Sequence, residues 1–443
     1  MRVATLVLAL ALACGCSTPE LDAAPDGAPG RDDDGGASGA DGGDDDGGTT
    51  GRSDGGPVDP DTDAGDPLPV PGARVVGYFS AWSVYQRNYH VMDMPAEQLT
   101  HINYAFLNIQ NGRCVLGDSY ADIERAYPGD TWEGGAVRGS FHQLELLKQA
   151  HPHLRTLLSV GGWTWSGSFS DVALSDASRR TFAESCIDIM VRYGFDGLDI
   201  DWEFPVSGGL ETNTRRPEDR HNYTLLLEEL RRQLVARASA QGRGEPYLLT
   251  IASGQSPEAF ANLELPELGR VLDWINLMSY DYHGSWERMT GHNAPMVTAP
   301  GDPVGWGVAH AVDGLLEGGV PADRIVMGVP FYGRSWTGVT GGGSGLRQSA
   351  TGAGPGTWEP GVIEWKDIAA NYLPNAGFTQ GWDPVGQVPY LYNSSSGVFV
   401  TYDDPRSIRI KRDFARARRL GGVMIWELNC DEASDTLTRA LTE

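Results

Sequence analysis

Cysteine is scarce in this chain, five among 443 residues, and only Cys114, Cys186 and Cys430 lie beyond the first sixteen positions. An odd number cannot pair fully within one chain, and the spacing matches no zinc site. The three read as small apolar fillers, with at most one disulfide where the compartment oxidises a pair. The nine histidines fall in no recognised metal-ligand motif, and no complete EF-hand loop is present. Cations are the minority charge, 34 Lys and Arg against 59 Asp and Glu, and no basic, aromatic-laced patch argues for nucleic acid. The glycines between Gly338 and Gly356 lack the strand–helix setting and Lys-Ser/Thr ending of a phosphate loop, so nucleotide binding is not expected there.

What the first 71 residues do contain is a leader and a spacer. Met1-Arg2 followed by the apolar run Val3 to Ala13 is too short to span a bilayer and reads as a secretion signal over residues 1–16. Ala11-Leu12-Ala13-Cys14-Gly15-Cys16 resembles the lipobox of bacterial lipoproteins, although neither cysteine has the usual leucine three positions before it. The expectation is a protein secreted or lipid-anchored at the bacterial cell envelope, with membrane attachment through a lipidated N-terminal cysteine. Residues 17–71 are mostly Asp, Gly, Ala, Ser, Thr and Pro, with too little apolar content to offset the entropy of ordering, and are predicted to form a disordered linker. Positions 20–66 carry fourteen Asp and one Glu against Arg31 and Arg52, a net charge of −13 out of −25 for the whole chain. The acidity is therefore largely a linker property and says little about the folded part.

Residues 72–440 supply enough chain for one large domain. Short apolar runs alternate there with helical patterns. Strands are predicted at Val75 to Ser80, Ile102 to Leu107, Thr156 to Val160, Gly197 to Glu203, Leu248 to Ala252, Trp274 to Tyr280, Ile325 to Phe331 and Gly422 to Trp426. Helices are predicted at Phe141 to Ala150, Ser178 to Tyr193, Asn222 to Ala240, Val304 to Glu317 and Arg406 to Leu420. Eight such strands suggest an α/β fold, a closed (β/α)8 barrel with its chemistry at the carboxyl ends of the strands. The stretch from Tyr332 to Asp403 is too long for a simple connection. A small α+β insertion over residues 336–402, between the seventh strand and its helix, explains it.

The segment Asp196-Gly197-Leu198-Asp199-Ile200-Asp201-Trp202-Glu203 is the chemically richest. In an extended strand alternate residues share a face at roughly 3.3 Å rise per residue, so Asp199, Asp201 and Glu203 follow one another on one side and Leu198, Ile200 and Trp202 on the other. Like charges in proximity raise at least one carboxyl pKa, which helps a general acid keep its proton near neutral pH. A solvated strand edge or a cation site is the plainer alternative for such residue types. The sequence gives no independent case for a Ser-His-Asp triad.

With these residues in place, the chain resembles the family 18 glycoside hydrolases, the chitinase family, from Val75 to about Asp431. Asp196, Asp199, Asp201 and Glu203 fit its Asp-x-x-Asp-x-Asp-x-Glu signature without a gap. Leu158-Ser159-Val160-Gly161-Gly162-Trp163, Met278-Ser279-Tyr280-Asp281, Phe331-Tyr332-Gly333-Arg334 and Gly422-Val423-Met424-Ile425-Trp426 are similar to further family motifs and occur in family order. The resemblance implies retaining, substrate-assisted hydrolysis of β-1,4-linked N-acetylglucosamine polymers. Glu203 would be the acid and then the base. Asp201 would orient the substrate's acetamido group, and Asp199 would tune Asp201 from below. Tyr280 would donate to the acetamido oxygen, and Asp281 would hydrogen-bond near the reacting sugar.

By the same resemblance Trp426 would floor the reacting sugar, Trp163 and Trp286 would contact sugar on the leaving-group side, and Tyr332, Arg334 and Tyr78 would line the site. Trp165, Trp336 and Trp382 are either further platforms or core. Ser159, Gly161 and Gly162 read as positioning residues. Chitin or chitooligosaccharide is the expected partner, with no cofactor, no metal and no nucleic acid, and oligomeric state left open. A non-hydrolysing chitin-binding lectin, or an endo-N-acetylglucosaminidase acting on glycoprotein N-glycans, are the alternatives that share these residues.

Overall fold

The computed structural model describes residues 73–131 and 133–443. The expected leader, the Asp/Gly-rich linker and the cysteines proposed for lipidation lie outside the described residues. Eight parallel strands run in barrel order: β1 (Arg74–Ser80), β2 (His101–Gln110), β3 (Arg155–Gly161), β4 (Gly197–Asp201), β5 (Leu248–Ser253), β6 (Trp274–Leu277), β7 (Ile325–Pro330) and β8 (Gly422–Trp426). Each pairs with the next, and β1 closes the ring by pairing with β8 and β2. Every strand predicted from the apolar runs is present, with ends that differ by a few residues.

The runs are buried on both faces because the ring separates two apolar layers. The barrel interior holds Val76, Tyr78, Leu157, Trp274, Val326 and Met424. The outer faces pack against a continuous layer of helices that includes Asp176–Arg192, Asp219–Ala240 and Pro405–Ala417. Ser175 and Asp404 cap two of these with reciprocal hydrogen bonds to Ser178 and Ser407, which fixes where each helix begins. Only short helical turns follow β1.

Between β7 and the helix Pro405–Ala417 lies an antiparallel sheet whose main strands are Tyr332–Thr337, Thr379–Asp383, Val388–Asn393 and Val398–Thr401, with two shorter pieces beside the first. Its first strand starts at Tyr332, immediately after the barrel strand, rather than at Trp336. The reason is register: Tyr332 pairs with Glu364 and Arg334 with Thr401, so residues that face the barrel mouth belong to the inserted sheet. Trp336 is not a surface platform. It is fully buried against Phe399 (6.0 Å between ring centres), with its indole N–H donated to the Glu287 carbonyl (3.2 Å), and forms the core of the insertion.

The three cysteines divide as arithmetic requires. Cys114 and Cys186 form a disulfide, with Cα atoms 5.0 Å apart, and Cys430 is buried and free. The bond ties the hairpin strand Arg113–Val115 to the helix Asp176–Arg192 across a separation of 72 residues. Replacing both cysteines with Ser should lower unfolding stability by roughly 2–5 kcal/mol, measured by denaturant titration, while the folded variant keeps its far-UV circular dichroism spectrum. Unchanged stability would mean that the hairpin is held by the Cys114 N–H to Ser185 hydroxyl bond (2.9 Å) and its packing alone.

Candidate active site

The site is built outward from β4. Asp199 and Asp201 point toward the barrel axis, while Trp202, just past the strand, is buried among the helices against Phe169 (5.3 Å) and Tyr223 (5.0 Å). That anchoring of the outward face fixes the aim of the inward one. The strand ends at Asp201 and does not reach Glu203 as expected. At Glu203 the backbone N–H is taken by the Ser166 hydroxyl (2.8 Å) instead of a neighbouring strand, and Asn213 donates its side-chain amide to the Glu203 carbonyl (3.0 Å). Gly209, at φ 70°, sits so close to that carbonyl oxygen that a Cβ there would be 2.1 Å from it. The acid is thus held on a pinned turn above the barrel.

The three carboxyls occupy very different surroundings. Asp199 is wholly buried and accepts four hydrogen bonds, from Tyr78 (2.7 Å), Ser159 (2.8 Å), Thr250 (2.6 Å) and Asn276 (3.1 Å). Burial raises its pKa and the four donors oppose that rise without cancelling it. Asp201 is also buried, and its Oδ1 has no hydrogen-bond partner. Burial, then the charges of Glu203 and Asp199, push it well above the usual carboxylate range. Glu203 is raised to about 8, first by burial and then by the charge of Asp281. Asp201 and Glu203 consequently titrate as a pair that retains a proton at neutral pH.

Opposite them, Asp281 adopts a left-handed backbone (φ 60°), with its N–H bound to the Asn293 side chain (3.1 Å). Its carboxylate accepts from Tyr332 (2.8 Å) and from Arg334 through Nε (2.8 Å) and Nη2 (2.6 Å). The Arg334 guanidinium also lies over the Trp286 ring, 4.9 Å from its centre. Tyr280 is buried, edge-on to Tyr332 (6.2 Å), with its hydroxyl facing the Met424 sulfur (3.9 Å). Trp426, partly buried, stacks on Phe106 (5.9 Å) and meets the edge of Tyr78 (5.3 Å). Trp163 is half-buried on the helical turn Gly162–Trp165 that leaves β3. The close packing of Gly161 and Gly162 against Phe169 and Phe106 leaves no room for a Cβ at either position.

Some candidates fall elsewhere. Tyr78 is a support rather than a lining residue: it is 1% exposed, with its hydroxyl committed to Asp199. Asp196, the first signature residue, sits before β4 at the opposite end of the barrel, paired with Lys148 (2.5 Å) and the Thr156 N–H (3.0 Å). Trp382 lies on a strand of the insertion under the guanidinium of Arg406 (3.7 Å). Trp165 packs within the barrel-mouth cluster. Sequence reasoning did not find Ser166, Asn213, Asn293, Phe106 or Trp82. Trp82, on the turn Ala81–Val84 directly after β1, lies 6.1 Å from the Phe106 ring on β2, where the barrel rule would have directed attention; the polar three carry no local signal. Among the described residues no group of three or more His, Cys, Asp or Glu could hold a metal ion.

A closed parallel barrel with proton-sharing carboxyls at the carboxyl ends of its strands defines an acid–base (β/α)8 hydrolase. The chain belongs to the glycosyl hydrolases family 18, whose sequence profile matches residues 74–431. It is 43% identical over 397 residues to Chitinase A1 of Niallia circulans, an alignment covering 81% of this chain and 56% of that protein. The chain therefore spans little more than half the length of that relative. It is 39% identical over 366 residues to Chitinase 1 of Aphanocladium album, covering 81% of this chain and 82% of the relative. Among solved structures it is similar to Chitinase ChiA74 from Bacillus thuringiensis, with a TM-score of 0.78 and 38% identity over 84% of this chain and 70% of that one.

The pKa directions give a pH dependence with a definite sign. A carboxyl raised to about 8 keeps its proton through neutral pH and loses it as pH rises, so turnover that requires protonated Glu203 should fall on the alkaline side with an apparent midpoint near 8. Asp281→Asn removes a negative charge that favours the protonated form and should move that limb to lower pH. An unmoved limb in the pH–rate profile would mean that burial alone sets it.

Proposed function

We propose that this protein hydrolyses β-1,4-linked N-acetylglucosamine polymers, chitin and its oligomers, with retention and with the substrate's own N-acetyl oxygen as nucleophile. The observation that carries this reading is the state of Asp281. Its oxygens accept three hydrogen bonds from Tyr332 and Arg334, so the carboxylate opposite Glu203 is engaged as the partner of a buried guanidinium, which suits a counter-ion better than a nucleophile. In an ordinary retaining glycosidase a second carboxylate is the nucleophile. A nucleophile supplied by the sugar removes the need for one.

In this reading Glu203 protonates the leaving oxygen and afterwards takes a proton from water. Asp201, with its free buried Oδ1 beside Glu203, accepts from the acetamido N–H and balances the positive charge that develops on the ring nitrogen. Asp199, saturated by four donors, keeps its place below. Tyr280 donates to the acetamido oxygen, Trp426 offers an apolar floor to the sugar's C–H face, and Trp163 and Trp286 extend that floor toward the leaving group. The inserted sheet supports polymer over short substrate, since it raises one wall of the cleft with Tyr332 and Arg334.

We also infer that the chain works outside the cytosol, secreted or held at the cell envelope by a lipid on an N-terminal cysteine. The Cys114–Cys186 disulfide supports an oxidising compartment. Mass spectrometry of the mature N-terminus would separate a lipidated cysteine from simple cleavage.

Glu203→Gln should reduce turnover of chitooligosaccharides by at least about 100-fold while binding survives; wild-type turnover in a folded variant would remove Glu203 as the acid. Replacing the acetamido group by hydroxyl in an otherwise equivalent oligomer should abolish efficient cleavage, and efficient cleavage would exclude obligatory substrate assistance. A product profile on oligomers, chitin and an N-glycosylated protein identifies the substrate class.

A further inference from the structure

The long segment between β6 and the helix Val308–Glu317 carries Tyr280, Asp281 and Trp286, and it is wedged against the inserted sheet. Trp336 donates to the Glu287 carbonyl (3.2 Å), and Asn293 reaches both the Tyr332 carbonyl (3.1 Å) and the Thr401 hydroxyl (3.2 Å). At the centre of this segment His283 is 3% exposed. Each of its ring nitrogens faces a carboxylate: Nδ1 lies 2.7 Å from Glu287 Oε2 and Nε2 lies 3.0 Å from Asp302 Oδ1. A neutral imidazole would set a lone pair against one of those acids, so two acceptors require two N–H donors and hence the cation. The chain also folds back tightly on the ring, since a Cβ at Gly291 would lie 2.2 Å from His283 Cγ.

None of the chemistry assigned above uses this histidine. Yet it lies two residues after Asp281 and three before Trp286, and its carboxylate partners are drawn from both sides of a turn that would otherwise be free to spread. Buried charge-assisted hydrogen bonds of this kind are strong and directional. We propose that His283 is a positioning residue for the catalytic site: as an imidazolium bridging Glu287 and Asp302, it fixes the turn that aims Asp281 and Trp286 into the cleft, and through Asp281 it sets the charge felt by Glu203.

The electrostatics agree with the geometry. Burial lowers the basicity of the ring, but the hydrogen bonds and charges of Asp302 and Glu287 outweigh it and hold the pKa at about 9. The folded-state value lies above the ordinary one for His, so the clamp is complete at neutral pH and lost as pH rises through about 9. Glu287 and Asp302 are the charged groups facing the ring. Beyond Asp302 a small cavity is lined by His292, Arg347 and Asp383, and His292 is itself bound to Asp383 (3.1 Å) and Thr401 (3.1 Å).

The kinetic test rests on the reading of Glu203 as the acid, and a spectroscopic one does not. His283→Gln and Asp302→Asn are assayed on a soluble N-acetylglucosamine pentamer across pH 5 to 10, with thermal unfolding alongside. Expected is a fall in kcat of at least about 10-fold in His283→Gln, as a misplaced group near the reacting centre produces. The alkaline limb should move to lower pH by about half a unit or more, because Asp281 drifts from Glu203. Asp302→Asn, which keeps one carboxylate partner, should show the same changes at smaller size. A kcat loss with an unmoved limb in folded variants would reduce His283 to a structural role and overturn the proposal. In the unmodified protein the emission of Trp286, taken as the difference from Trp286→Phe, should change with a midpoint near 9. A flat difference through that range would overturn the proposal even where the variants fail to fold. Wild-type turnover in Glu203→Gln would instead reject the acid assignment and leave the emission result standing.

Discussion

Everything at the mouth of this barrel follows from placing several carboxyls in one low-dielectric column. Three charges a few ångströms apart and out of water are intolerable together, and the structure resolves the conflict differently at each level. Asp199 is surrounded by donors from four other strands. Asp201 has an Oδ1 with no hydrogen-bond partner, and burial together with the charges of Glu203 and Asp199 raises its pKa well above the usual carboxylate range. Glu203 stands above, on a turn outside the sheet, with its own proton retained to about pH 8. The gradient from saturated to unsatisfied runs along a single strand, and it leaves a proton held at the outer end of the column.

The opposite wall answers the same constraint. Asp281 is a fourth acid close enough to raise Glu203, and it is tolerated because Arg334 grips it in a two-point fork while Tyr332 donates to it. Arg334 and Tyr332 come from the inserted sheet, and Asp281 from the segment after β6. Charge neutralisation therefore couples the insertion to the barrel: the inserted sheet supplies the counter-ion. The Glu287–His283–Asp302 clamp is a second instance, in which one buried ring lies between two partly exposed acids.

Much of this was legible in one dimension. The period of two in Leu198 to Glu203 placed acids on one face and apolar residues on the other, and the eight largely apolar runs marked every barrel strand, because a strand buried on both sides is mostly apolar. The motifs also put Tyr280, Asp281, Tyr332, Arg334 and Trp426 in one site, although they are spread over almost 150 positions. Trp336 and Tyr78 show where such reading stops. Both are aromatic residues in motif neighbourhoods, yet one fills the insertion's core and the other supports Asp199, because exposure depends on which neighbours fold over a ring and no local pattern records that.

The sequence by itself determined the alternation of strand and helix, the order of the acids along β4 and the presence of one inserted unit, since these depend on periodicities and spacings carried by the chain locally. Tertiary structure alone decided how each carboxyl's pKa is raised and by what, that the strand stops at Asp201, that Cys114 rather than Cys430 pairs with Cys186, and that His283 lies between Glu287 and Asp302. Each of those depends on donors, charges and burial contributed by residues tens to hundreds of positions away, and the energy of a buried ionisable group is set by those surroundings rather than by its place in the chain.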